Sequence, residues 1–129
     1  MKPLKTLLFS ILATAVATTA LAQTPAKPRA NRCFLQRNIN GFAAPDDRTL
    51  YVRVGVKDVW RLDLTNNCTG LTFRNNLGLE ARPASPWICS PLDATVVFRQ
   101  TGMSQRCPII GLRQLTPDEI AALPKRDRP

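Results

Sequence analysis

Residues 49–64 read TLYVRVGVKDVWRLDL. Leu50, Val52 and Val54 alternate with Tyr51 and Arg53, and Trp60, Leu62 and Leu64 alternate with Arg61 and Asp63. Successive side chains of a strand point to opposite faces, so a period of two buries one set and leaves the other in water. Gly55 to Asp58 lies between the two runs and supplies a turn, which makes the stretch an antiparallel hairpin. Trp60 belongs to its inward face. Arg53 and Arg61 belong to its polar face and would stand across from each other.

Other strands lie before and after this hairpin in the chain. ATVVFRQ (94–100) is rich in β-branched residues, and Thr101-Gly102 turns it back into a strand through Cys107-Pro108-Ile109-Ile110-Gly111-Leu112. CFLQRNINGF (33–42) is a first strand with weaker alternation. The segment 71–88 holds one short strand around Leu71 to Arg74, followed by a loop rich in Pro, Asn and Gly. LTPDEIAAL encodes a short helix. Thr116 is the cap, Pro117 the first helical residue and Glu119 the reciprocal partner three residues on, and Ile120 and Leu123 would lie against the sheet before Pro124 ends it. The fold class is therefore mainly β: a small antiparallel sheet of four to six strands, curled into a barrel or sandwich, with a short C-terminal helix and two disulfides.

The disulfides follow from the compartment. The chain opens with Lys2 and Lys5, continues through an apolar run from Leu7 to Val16, and reaches Ala20-Leu21-Ala22, the small-residue pattern of a secretory signal peptide cleaved after Ala22. The run is too short and too diluted by threonine to read as a membrane span, so no integral span is expected after cleavage. Residues 1–22 are thus a signal peptide, 23–32 a flexible lead-in, 33–123 a single disulfide-stabilised domain, and 124–129 a disordered basic tail. An oxidising destination turns the four cysteines, Cys33, Cys68, Cys89 and Cys107, into two bridges. Zinc is disfavoured by wide spacings and by the absence of histidine, and a catalytic thiolate has no histidine to activate it. Spacing does not determine which cysteines pair. The strand layout favours Cys33 with Cys107 and Cys68 with Cys89, and the rival is Cys33 with Cys68 and Cys89 with Cys107.

The chain also resembles a known group. It runs in order through CFLQRNINGF, DDRTLYVRVGVKDVWRLDLTNNCTGL, WICSPLDATVVF and CPIIGLRQLTPDE. The carrying positions are Cys33 and Ile39; Asp46-Asp47-Arg48-Thr49; Leu64, Cys68 and Leu71; Cys89 and Asp93; and Cys107, Ile109, Leu115 and Thr116. In this it resembles small exported proteobacterial proteins gathered under a domain of unknown function. The resemblance implies a bacterial envelope or secreted location. It transfers no activity and no functional residues.

The residues left over bound the chemistry. Without histidine most hydrolase triads and the commonest metal ligand are gone, and Ser85, Ser90 and Ser104 sit in no nucleophile motif. No catalytic residue, cofactor or metal ligand is assigned. Asp46-Asp47 reads as a turn former, and Asp93 as a maker of local turn hydrogen bonds. Trp87, beside Cys89, reads as packing on a disulfide, with ligand stacking as the lesser use. Removing the leader leaves 16 basic and 9 acidic residues, and 13 of the basic ones are arginine. Guanidinium groups bind carboxylate and phosphate in bidentate fashion. Arg48, Arg53 and Arg61 are the candidate anion-binding residues. The expectation is a non-enzymatic periplasmic or secreted binding module for an anionic envelope component or an acidic protein. Export disfavours nucleic acid. The alternatives are a small enzyme using Asp93 or another carboxylate, and an inhibitor of a secreted hydrolase.

Overall fold

A computed structural model of the protein describes residues 33–65, 68–73 and 76–129. The expected signal peptide and lead-in lie outside these residues, as do Asn66, Asn67, Arg74 and Asn75. Among the described residues there are eight strands: β1 (Phe34–Leu35), β2 (Ile39–Asp46), β3 (Thr49–Val54), β4 (Asp58–Leu64), β5 (Leu77–Ala81), β6 (Trp87–Ile88), β7 (Ala94–Gln100) and β8 (Met103–Gln114). One helix, α1 (Pro117–Ala122), follows. Six strands form one antiparallel sheet in the order β2-β3-β4-β8-β7-β5, and β1 and β6 form a separate ribbon.

The hairpin pairs as its alternation requires, with Leu50 opposite Leu62 and Val52 opposite Trp60. Leu50, Val52 and Leu62 are completely buried. Gly55, at φ 66°, takes the left-handed conformation in the turn that only glycine adopts cheaply. β8 is what curls the sheet. Its first half pairs with β7 and its second half with β4, with a register shift opposite Asp63 and Leu64. A bulge of this kind bends a strand and increases its twist. The sheet becomes a half-barrel around Val96, Phe98, Leu79, Cys107 and Ile109, together with the inward residues of the hairpin.

The β1–β6 ribbon closes one side. Phe34 packs its ring 4.9 Å from that of Trp60, and the Gln36 side-chain amide donates to the carbonyl of Leu79 on the sheet edge. The first strand expected at 33–42 is therefore interrupted by a single 3-10 turn at Gln36–Asn38, so that the chain can serve ribbon and sheet in turn. In the segment 71–88 the strand expected around Leu71 is also a 3-10 turn, anchored by the buried Leu71. The real edge strand is Leu77–Ala81, where Leu77, Leu79 and Ala81 alternate with Gly78 and Glu80.

Both bridges form, but neither expected pairing is correct. Cys33 joins Cys89, and Cys68 joins Cys107. Local neighbourhoods explain the outcome. Phe34 pairs with Ile88, so Cys33 and Cys89 are the next residues along the same ribbon. Thr65, just after β4, donates its backbone N–H to the carbonyl of Pro108 at 3.0 Å, which sets the chain leading to Cys68 beside the β8 strand that carries Cys107. The first bridge staples the lid; the second ties the end of the hairpin to the bent strand.

The helix is capped as its sequence requires: Thr116 Oγ1 accepts from the Glu119 N–H, and the Glu119 carboxylate accepts from the Thr116 N–H at 2.8 Å. Ile120 and Leu123 pack on Tyr51, Val59 and Leu115, on the face of the sheet opposite the main core. Tyr51, read from alternation as facing water, is buried there. The segment 124–129, expected as a basic tail, is built into contacts with α1. Lys125–Asp127 make a 3-10 turn with Asp127 buried, and Arg128 donates to the carbonyls of Leu123 and Ala121. A cation on the last carbonyls of a helix satisfies acceptors that the helix cannot. No helix among the described residues is long and apolar enough to cross a membrane.

Candidate anion-binding surface

The three candidate arginines separate along the hairpin. Arg48 and Arg61 line one surface hollow of about 520 Å³, together with Asp46, Asp47 and Asp63. Three carboxylates against two guanidinium groups make a poor place for an anion. Arg61 is committed besides: its Nε donates to Asp63 Oδ1 at 2.8 Å, and this hydrogen bond holds its pKa above the ordinary arginine range. Asp63 can lie this way because Gly111 has no Cβ, since one built there would stand 2.7 Å from Asp63 Oδ2. Asp46 and Asp47 are turn formers. Asp46 Oδ1 accepts from the Arg48 N–H at 2.7 Å, and Asp47 Oδ1 from the Leu71 N–H at 3.1 Å.

Arg53 lies toward the other end of β3, on the same face as Arg61 but not across from it. The register sets Arg53 opposite Val59 and Arg61 opposite Tyr51. Arg53 Nε donates to Asn40 Oδ1 at 2.9 Å, and the Asn40 amide donates in turn to the carbonyl of Gly55. The guanidinium lies over Gly41, with Nη2 3.3 Å from the position a Cβ would take there. Arg53 is thus oriented by a neutral partner and makes no ion pair with an Asp or Glu side chain among the described residues, although the carboxyl carbon of Pro129 lies against the same Gly41, 3.0 Å from that Cβ position. The Gly55 N–H donates to the Asn38 carbonyl at 2.9 Å, so the turn carrying Lys57 touches the turn carrying Arg37. Arg37 and Lys57 are carried on these two touching turns at the end of the hairpin where Arg53 lies, and Asp58 follows Lys57 in the chain.

Arg106, Arg113 and Arg126 are paired with Glu80, Glu119 and Asp127. Arg37, Arg48, Arg53, Arg82, Arg99 and Arg128 have no ion pair within the described residues. The described residues hold 12 basic and 9 acidic side chains; the rest of the basic surplus is Lys2, Lys5, Lys27, Arg29, Arg32 and Arg74.

Asp93, the carboxylate named for a small enzyme, is engaged in local hydrogen bonds. Asp93 Oδ2 accepts from the backbone N–H groups of Cys89 and Ser90 and from Ser90 Oγ, at 2.8 to 3.0 Å. The Cys89 N–H, foremost, holds the Asp93 pKa below the usual carboxylate range. Glu119 is held low chiefly by the Thr116 N–H and then by Arg113. Both acids therefore stay ionised as caps, the opposite of what a general acid needs. No three acidic or sulfur side chains among the described residues are grouped to hold a metal ion. Sequence reasoning missed Asn40 and Gly41, whose roles arise only from the β2–β3 pairing; their sole signal was a polar residue and a glycine inside a strand.

A model described as a family of unknown function (DUF6491) matches residues 1–129, and the chain belongs to that family. No curated protein and no solved structure matches it.

Proposed function

We propose that the protein is an exported, non-enzymatic binding module that holds an anionic component of the cell envelope, with Arg53 as its principal contact. The observation that carries this reading is the Arg53 guanidinium, oriented by Asn40 and without an Asp or Glu side-chain partner among the described residues. Orienting an arginine in advance lowers the entropy lost when it forks onto a carboxylate or phosphate. Arg37 and Lys57 add attraction at the same end. Arg48 and Arg61 contribute less, because neighbouring aspartates neutralise their hollow. Two disulfides in a small domain fit an oxidising compartment, and the leader at 1–22 gives the route there. The partner is an acidic headgroup, an acidic polysaccharide or an acidic protein.

Native mass spectrometry of the protein taken from its own envelope, without reductant, tests this reading. The expected result is a chain that starts at Gln23, is four hydrogens lighter than the reduced form, and carries a bound acidic species that rising salt removes. A bare chain would count against the binding reading, and a full-length reduced chain against export.

A further inference from the structure

We propose that the cavity between the β1–β6 ribbon and the Val54 end of the hairpin binds a sugar ring of a neutral glycan. The cavity measures about 500 Å³, within the range of small-ligand sites. Phe34, Trp60 and Trp87 line it, together with Asn38, Asp58 and Gln114. Trp60 is buried and braced by Phe34, whereas Trp87 is 49% exposed. A large ring left half in water is costly, yet this one is held by a two-residue strand flanked by the Cys33–Cys89 bridge. It is a rigid aromatic surface at the lip of a hollow.

The polar groups decide the ligand class. A pyranose ring presents apolar C–H faces, which pack on an aromatic ring, and a fringe of hydroxyls that both donate and accept. Asn38 carries an amide that does both, and Asp58 carries a carboxylate that accepts. Asp58 is the single charged lining residue, so the lining itself offers an anion no cation. It opens on the core side of the hairpin, whereas Arg53 lies on the opposite face. The inference is therefore independent of the arginine reading, and high salt should leave it unchanged.

The chain has two tryptophans, and isotope-labelled protein therefore gives two indole N–H signals to watch. The probes are maltohexaose, cellohexaose and N-acetylchitohexaose, with choline as a cationic comparison. The expected result is a saturable shift of the Trp87 signal with at least one saccharide, insensitive to salt. Trp87→Ala should weaken that binding about tenfold. Asp58→Asn, at an exposed position away from the core, should weaken it severalfold while both bridges still form. The proposal is overturned if no saccharide moves either signal at millimolar concentration, if choline alone does, or if Trp87→Ala leaves saccharide affinity unchanged.

Discussion

Replacing the two bridges one at a time should give unequal losses, for a reason visible in their burial. In the loop-closure description a disulfide stabilises by restricting the unfolded chain, and the effect grows slowly with loop length. The Cys33–Cys89 loop spans 56 residues and the Cys68–Cys107 loop 39. Each separation corresponds to about 4 kcal/mol, with the longer loop ahead by only a few tenths. Loop length alone therefore predicts that losing Cys33–Cys89 costs slightly more. Packing reverses the order. Cys68 and Cys107 are 4% and 5% exposed inside the main core, whereas Cys33 and Cys89 lie at the surface. Removing the buried sulfurs opens a cavity as well, at about 1 to 2 kcal/mol more. The double variant Cys68→Ala/Cys107→Ala should lose about 5 to 6 kcal/mol and Cys33→Ala/Cys89→Ala about 4. Urea unfolding followed by tryptophan fluorescence measures both. If the Cys33–Cys89 variant is the less stable of the two, the assignment of the second bridge to the core is wrong.

Other consequences are more local. Gly111→Ala should cost about 1 to 3 kcal/mol, because a methyl group would meet the Asp63 carboxylate, and Asp63→Ala in the same chain should recover much of that in a thermal melt. Leu62→Ala, at a completely buried site in the central hairpin, should cost about 3 to 5 kcal/mol in urea. Thr116→Ala should remove about 1 kcal/mol of helix capping and loosen the contacts of Ile120 and Leu123 with Tyr51, seen as faster amide exchange on α1. Asp93 and Glu119 are both held below their ordinary pKa in the folded protein. The sign follows: their stabilisation is present above the unfolded carboxylate range and is lost as pH falls through the folded values. A pH titration of the melting temperature should therefore fall on the acid side, and Glu119→Gln should flatten part of that fall.

The hairpin at 49–64, the strand at 94–100 and the capping box at 116–119 were legible because each is encoded locally, by a period of two or by a four-residue motif. The cysteine pairing was not. It depends on the Phe34–Ile88 register and on where Cys68 lands beside β8, and both are long-range facts. The tail at 124–129 looked like solvent-bound charge, yet Arg128 finds helix carbonyls and Asp127 is buried, contacts that composition does not reveal. The site shows the same division. Arg48, Arg53 and Arg61 were equivalent as letters. Asp46, Asp47 and Asp63 lie within two residues of Arg48 and Arg61 in the chain, whereas the Asn40 amide that orients Arg53 comes from another strand, β2.

The central claim is that Arg53, and not Arg61, meets an acidic partner. The direct measurement is a titration with alginate and with phosphatidylglycerol vesicles at low and high salt, using the wild-type chain, Arg53→Gln and Arg61→Gln. The account predicts binding to at least one probe that weakens as salt rises, a loss of about two- to fivefold for Arg53→Gln, and little change for Arg61→Gln. Equal losses for the two variants, or no salt-dependent binding to either probe, would contradict it.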